Sequence, residues 1–266
     1  MHALKGVRAG SALLRVGARL LAIQDDAFAA VWIDPATHVT TPLVLRGTGQ
    51  PLDKQLKPDF EVAFAHDGRI WVLGSGSRPS RCCIARIDLA RREAPLFDAQ
   101  ALYGALEQAL GRAPNIEGAV SSGDRLRLFQ RGPGRSPGGN FTVDVAIDVL
   151  DGAEPRILAV RRHELGAVGE TFLGFTDAVL FRKHVVYLAV AEDTPDGIAD
   201  GAVTGAAIGV FDGKIARWNL LTEADGAPSR RKDEGMALDD AGGGWLLTDP
   251  DDPARPAELC RVTLDF

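Results

Sequence analysis

Acidic side chains recur at one place in a weak internal repeat of this sequence, and they are the residues best suited to chemistry. Residues 59–77 read DFEVAFAHDGRIWVLGSGS, residues 115–132 NIEGAVSSGDRLRLFQRG, and residues 233–252 DEGMALDDAGGGWLLTDPDD. Residues 176–193, TDAVLFRKHVVYLAVAED, and 11–26, SALLRVGARLLAIQDD, are weaker copies. Aligned with one another, the copies place Ser11, Glu61, Glu117, Asp177 and Glu234 at one equivalent position. Two carboxylates ~6 Å apart repel by roughly 3 kcal/mol at an effective dielectric near 20. Several such pairs rival the whole net stability of a domain, so a ring of them needs a partner. Calcium or another divalent cation is one, since a hard cation collects oxygen ligands; Glu61, Glu117, Asp177 and Glu234 are then the metal ligands. Basic side chains are a second, with Arg131, Arg78, Lys57, Arg231 and Lys232 the local candidates. Protons held by raised pKa values are a third. A structural reading stands beside these: carboxylates at the start of a strand accept backbone N–H groups and staple neighbouring repeats together.

The elements that position these residues follow from the repeat. Equivalent positions lie 50 to 60 residues apart, which fits a propeller blade of four strands with generous loops. Each unit opens with two strands around a Gly or polar turn. Third and fourth strands are predicted at 29–33 and 42–45, 83–89 and 95–97, 141–149 and 156–160, and 207–211 and 216–221. Phe141, Val143, Val145 and Ile147 alternate as a half-buried strand requires. The last unit has a third strand, 258–264, and no fourth. A strand-like segment at 2–8 fills that place and closes the ring, which removes the open sheet edge. The predicted architecture is all-β: one five-bladed β-propeller domain over 1–266, with blades roughly 9–50, 51–113, 114–168, 169–226 and 227–266 plus strand 2–8. Residues 100–110, QALYGALEQAL, carry Leu102, Leu106 and Leu110 at spacing four and predict one short helical insertion. The tryptophans Trp32, Trp71, Trp218 and Trp245 fall within strands and read as inter-blade packing.

In a propeller the first strand of each blade lines the channel, and the loops between second and third strands share the face on which that strand begins. Those loops, at 24–28, 74–81, 130–140, 192–205 and 249–256, are long and polar, which marks the binding rim. They offer Arg131, Arg78 and Asp249 as ligand-binding candidates. The glycine-rich stretch 132–139, GPGRSPGG, reads as a flexible turn. The five histidines have no partner spacing, and no nucleophile elbow, Walker or dinucleotide signature sits in its proper context. A net charge of −6 excludes the basic stripe of a nucleic-acid binder and a polybasic membrane surface. Cys82, Cys83 and Cys260 are odd in number and irregularly spaced, so they read as reduced structural thiols. No apolar run approaches a membrane span and the N-terminal stretch has no signal-peptide core, from which a cytoplasmic location is expected.

The pairs NIEGAV with RLRLFQRG, and DEGMAL with WLLTDPDDP, resemble the bacterial propellers grouped with esterase-like phytases and with SdiA-regulated proteins. Those families repeat a Glu-Gly pair at the start of the inner strand. The resemblance implies a propeller with a calcium site lined by the strand-initial Glu61, Glu117 and Glu234. The expected function is binding of a divalent cation or a small polar or anionic ligand at the channel mouth. Its enzymatic form is a metal-assisted hydrolase of phosphoester or lactone type, in which the metal activates water and Arg131 holds the anionic group. The alternatives are a non-catalytic scaffold that docks a protein partner, with the acidic ring serving only as inter-blade staples, and a carbohydrate-binding or glycosidase propeller whose paired carboxylates do the acid–base work.

Overall fold

The computed structural model describes residues 1–91, 93–195, 201–212, 215–252 and 254–264. Alternating apolar residues and Gly-rich turns fold them into five antiparallel sheets around one axis, the five-bladed propeller. Ahead of the first blade runs β1 (His2–Ala3). Blade 1 is β2 (Gly10–Val16), β3 (Arg19–Gln24), β4 (Ala29–Ile33) and β5 (Thr40–Val44). Blade 2 is β6 (Phe60–His66), β7 (Arg69–Gly74), β8 (Cys83–Ile87) and β9 (Leu96–Asp98). The helix α1 (Gln100–Leu110) follows, and then blade 3: β10 (Ile116–Ser122), β11 (Arg125–Gln130), β12 (Asn140–Ala146) and β13 (Ile157–His163). Blade 4 has five strands: β14 (Ala167–Val168), β15 (Thr171–Phe181), β16 (His184–Glu192), β17 (Val203–Asp212) and β18 (Ile215–Leu220). Blade 5 is β19 (Asp233–Leu238), β20 (Gly243–Thr248), β21 (Glu258–Thr263) and β1.

The inner strands β2, β6, β10, β15 and β19 touch in that order and β19 returns to β2, so the ring is closed. The seam is made by β1 on β21, with His2 opposite Leu259 and Ala3 opposite Glu258. Leu4 and Val7 then enter the core, and the turn at Gly6 (φ +82°) makes the pairing shorter than the expected 2–8. The third strand of blade 3 also stops early. Ile147 and Val149 leave it for a 3-10 turn, Ile147–Asp151, and pack on the adjoining core from there. The third strand of blade 4 begins earlier than expected, at Val203.

Among the described residues five hydrophobic clusters hold the ring, one at each interface between blades. The four tryptophans pack against four of them, as expected from their places in strands. Helix α1 buries Leu102, Tyr103 and Leu106 in the cluster between blades 2 and 3. Its Tyr103 hydroxyl donates to the Gly74 carbonyl, and its Gln100 side chain donates to the Pro79 carbonyl, so the helix buttresses the β7–β8 loop. The three cysteines are free. Among the described residues no helix is long and apolar enough to cross a membrane.

Candidate functional site

Every inner strand carries the same irregularity, at the second residue of β2, β6, β10 and β19 and further along the longer β15. The register against the second strand slips once, and one residue is left over: Ser11, Glu61, Glu117, Thr176 and Glu234. A bulge of this kind re-aims the extra side chain and tightens the strand. The residue after it must tolerate the next blade. A Cβ on Gly118 would lie 2.9 Å from the Ala178 nitrogen, and one on Gly235 2.8 Å from the Leu13 nitrogen. This is the physical content of the Glu-Gly pairs.

The repeat position in blade 4 therefore belongs to Thr176, which corrects the alignment on Asp177. Asp177 sits one step later, where blades 3 and 5 have glycine. Its carboxylate accepts N–H groups from Ala178 and, across the interface, from Met236, each at 2.7 Å. Burial still pushes its carboxyl well above the usual range. The two hydroxyls of the ring are staples as well. Ser11 donates to the Phe60 carbonyl, and Thr176 donates to the Asp233 carbonyl at 2.7 Å. Glu61, Glu117 and Glu234, at the same bulge position, line the channel mouth instead.

Oxygens of these three side chains lie within 4.8 Å of one another. They form part of the wall of a cavity of about 410 Å³ at the mouth of the channel, a volume in the range of small-ligand sites. Glu117 is 5% exposed and Glu234 3%. Asn115 donates to Glu117 Oε1 at 2.7 Å. Both carboxylate oxygens of Glu234 are buried with no hydrogen-bond partner. Desolvation pushes Glu117 up to about 8 against the opposing pull of Arg131, and Glu234 up to about 7 against Lys232 and Arg131. Glu61 is held well above the usual range by burial and then by Asp59, Glu117 and Asp25.

Cations surround the trio without entering it. Arg131 Nη1 stands 3.7 Å from Glu117 and 3.6 Å from Glu234, while its Nη2 hydrogen-bonds Glu192. Lys232 Nζ is 3.7 Å from Glu234 and bonds Asp251 at 2.8 Å. Beside the trio a second acidic group, Asp25, Asp59 and Glu61, shares Glu61 with it. Here the cations are in contact: Lys57 bonds Asp25 and lies 2.8 Å from Asp59, and Arg81 lies 2.8 Å from Asp59.

Of the expected ligand-binding residues, Arg131 and Asp249 line this cavity. Asp249 is pushed up to about 8 by burial, against the pull of Lys232. Arg78 does not line it; it is exposed ahead of the 3-10 turn Pro79–Arg81, and Arg81 is the residue turned inward. Arg231 is also elsewhere, paired with Glu223 and Glu258. Sequence reasoning missed Asp59, Asn115, Arg81 and Arg8. Asp59 and Asn115 lie just ahead of β6 and β10, two residues before Glu61 and Glu117 and outside the strand alternation, so their place at the site comes from the turn into the strand.

Residues 6–264 match the profile of a family described as a family of unknown function (DUF6929), and the chain belongs to that family. No curated protein matches it. Among solved structures, hydrazine synthase of Kuenenia stuttgartiensis is similar over 99% of this chain and 89% of that chain, at 10% identity and a TM-score of 0.45.

Proposed function

We propose that this propeller binds one hard divalent cation, calcium in the first instance, on Glu61, Glu117 and Glu234 at the mouth of its channel. One observation carries the reading: three glutamates converge with their oxygens within 4.8 Å, and both oxygens of buried Glu234 lack a hydrogen-bond partner. Two oxygens that each sit ~2.4 Å from one calcium ion are at most about 4.8 Å apart, so the trio already has a compatible spread. Unpaired buried carboxylate oxygens cost the fold free energy unless something occupies their lone pairs. Carboxylate oxygens, with neither thiolate nor imidazole among them, favour calcium, magnesium or manganese.

The resemblance to esterase-like phytases and SdiA-regulated propellers points the same way. A metal-assisted hydrolase of phosphoester or lactone type is the enzymatic form of this reading, with Arg131 and Asp249 facing the substrate. The staple alternative draws its support from Ser11, Thr176 and Asp177, and not from the three glutamates.

The test is calorimetric titration of chelator-stripped protein with calcium, magnesium and manganese, alongside thermal melting. One ion per chain is expected. At a hundredfold excess over Kd it stabilises the fold by about 2.7 kcal/mol, and Glu234→Gln abolishes both signals. Absence of binding heat and of a melting shift with all three ions overturns the proposal.

A further inference from the structure

The cavity contains two adjoining carboxylate trios that share Glu61: Glu61 with Glu117 and Glu234, and Glu61 with Asp25 and Asp59. They are alike in donor chemistry and in the closeness of their oxygens, yet they differ in what fills them. In the first, each neighbouring cation stands off at 3.6 Å or more and makes its hydrogen bond to another carboxylate. In the second, the Lys57 ammonium bonds Asp25 directly and reaches Asp59 at 2.8 Å. It is a primary ammonium held between two of the trio's three carboxylates, in the acidic group that could otherwise hold an ion.

The backbone makes this seat specific. Lys57 lies at the end of the turn that joins blade 1 to blade 2, with its N–H on the Asp53 carbonyl. The same connection is tied to blade 1 by the Leu52 N–H on the Asp26 carbonyl. Two residues later Asp59 adopts φ +51°, a conformation that non-glycine residues rarely take, and its N–H is bonded to the Asp25 carbonyl. The chain thus holds Asp25, Lys57 and Asp59 together. Asp25 is 7% exposed, and its Oδ1 still lacks a partner: a single ammonium does not satisfy the seat.

We infer that Lys57 is a tethered counter-cation that occupies the second of two adjoining cation seats, and so restricts the channel mouth to one exogenous ion. This rests on the reading that the Glu61, Glu117 and Glu234 trio takes a divalent ion, and it assigns Lys57 as the residue that sets ion stoichiometry. Arg81, 2.8 Å from Asp59 on the far side, neutralises part of the second seat and remains when Lys57 is lost. An ion entering there would bind Asp25 and Glu61 and share Asp59 with that guanidinium.

The experiment is calcium stoichiometry, by titration calorimetry and by elemental analysis after dialysis, on wild type and Lys57→Met. The expected result is one ion per wild-type chain and two per Lys57→Met chain. Methylammonium, which reproduces the severed head group, is expected to compete with the second ion and to leave the first unaffected. One ion in both proteins overturns the inference, as does two in the wild type or none in a folded Lys57→Met. No ion in the wild type overturns instead the reading on which the inference rests. Lys57→Gln serves if Lys57→Met does not fold. In the otherwise wild-type chain, Asp25→Asn is expected to change affinity for the single ion less than threefold; a tenfold loss would place Asp25 in the first seat and refute the division.

Discussion

Replacing Arg131 by methionine separates two roles that its position allows, holding a ligand or opposing one. The guanidinium is 8% exposed, hydrogen-bonded to Glu192 and within 3.7 Å of Glu117 and Glu234. At an effective dielectric near 20 a charge pair at that distance is worth about 4–5 kcal/mol before desolvation is counted. Removing one member of a buried pair costs about 3–5 kcal/mol, because the other is left uncompensated. For a chain of this size that lowers the apo melting temperature by on the order of 10 °C. Calcium should respond in the opposite sense. An ion ~2.4 Å from the Glu234 oxygen lies no more than about 6 Å from the guanidinium, and their repulsion is roughly 5 kcal/mol at the same dielectric. Even strongly screened, losing it should tighten calcium binding at least tenfold. The calcium-induced rise in melting temperature should therefore be larger for Arg131→Met than for wild type, and Arg131→Lys should stay near wild type. Calorimetry and melting on the same preparations measure both. A folded Arg131→Met that binds calcium as weakly as wild type, or more weakly, refutes the reasoning and makes Arg131 part of the ligand's support.

Gly118→Ala places a methyl 2.9 Å from the Ala178 nitrogen and 3.1 Å from the Asp177 carbonyl carbon. Both are backbone atoms of the next inner strand, so the blades must part; an overpacking cost of about 1–3 kcal/mol in chemical denaturation is expected, and an unchanged midpoint would show that the ring gives freely. His163 packs edge-on against Phe175 and tilted against Phe211, with Nε2 on the Thr142 hydroxyl. Burial and then Arg127 and Arg161 lower its pKa to about 4. Unfolding raises it towards 6.5, so the unfolded chain binds the extra proton and stability falls as pH drops from 6.5 towards 4. The ring is partly open to solvent, which reduces the effect to about 1 kcal/mol. His163→Gln should flatten that part of the pH–stability curve, and an identical slope in both proteins would contradict the account.

The blade count was legible because period, turn chemistry and apolar alternation all agreed. Asp-Gly at 67–68, with both residues at positive φ, is a hairpin turn that any reader of the sequence can place. The ring position was harder. TDAV laid on EGAV puts Thr176 against Glu117 and keeps Ala-Val in register, but the attraction of a fourth carboxylate drew Asp177 into that place. Acidity was a poor guide there, since the blade needed a hydroxyl donor towards Asp233 and then an acceptor for Met236. Arg78 and Arg81 show a second limit. Both lie in the β7–β8 loop, and only the 3-10 turn decides which of them points inward. The stand-off of Arg131 and Lys232 against the seating of Lys57 has no counterpart in spacing or composition. It arises where loops from different blades converge.

The clasp of β1 on β21 pairs only two residues with two, and it joins blade 5 to the chain that leads into blade 1. Were that seam to part together with the β19–β2 contact, Glu234 on blade 5 would move away from Glu61 and Glu117 on blades 2 and 3. An ion held by all three would bridge the two sides of that cut from within, a second rivet placed at the hub while the first sits at the rim. Occupancy at the mouth would then govern how long the ring stays shut, and the lifetime of the folded chain would become a reading of the ion concentration around it.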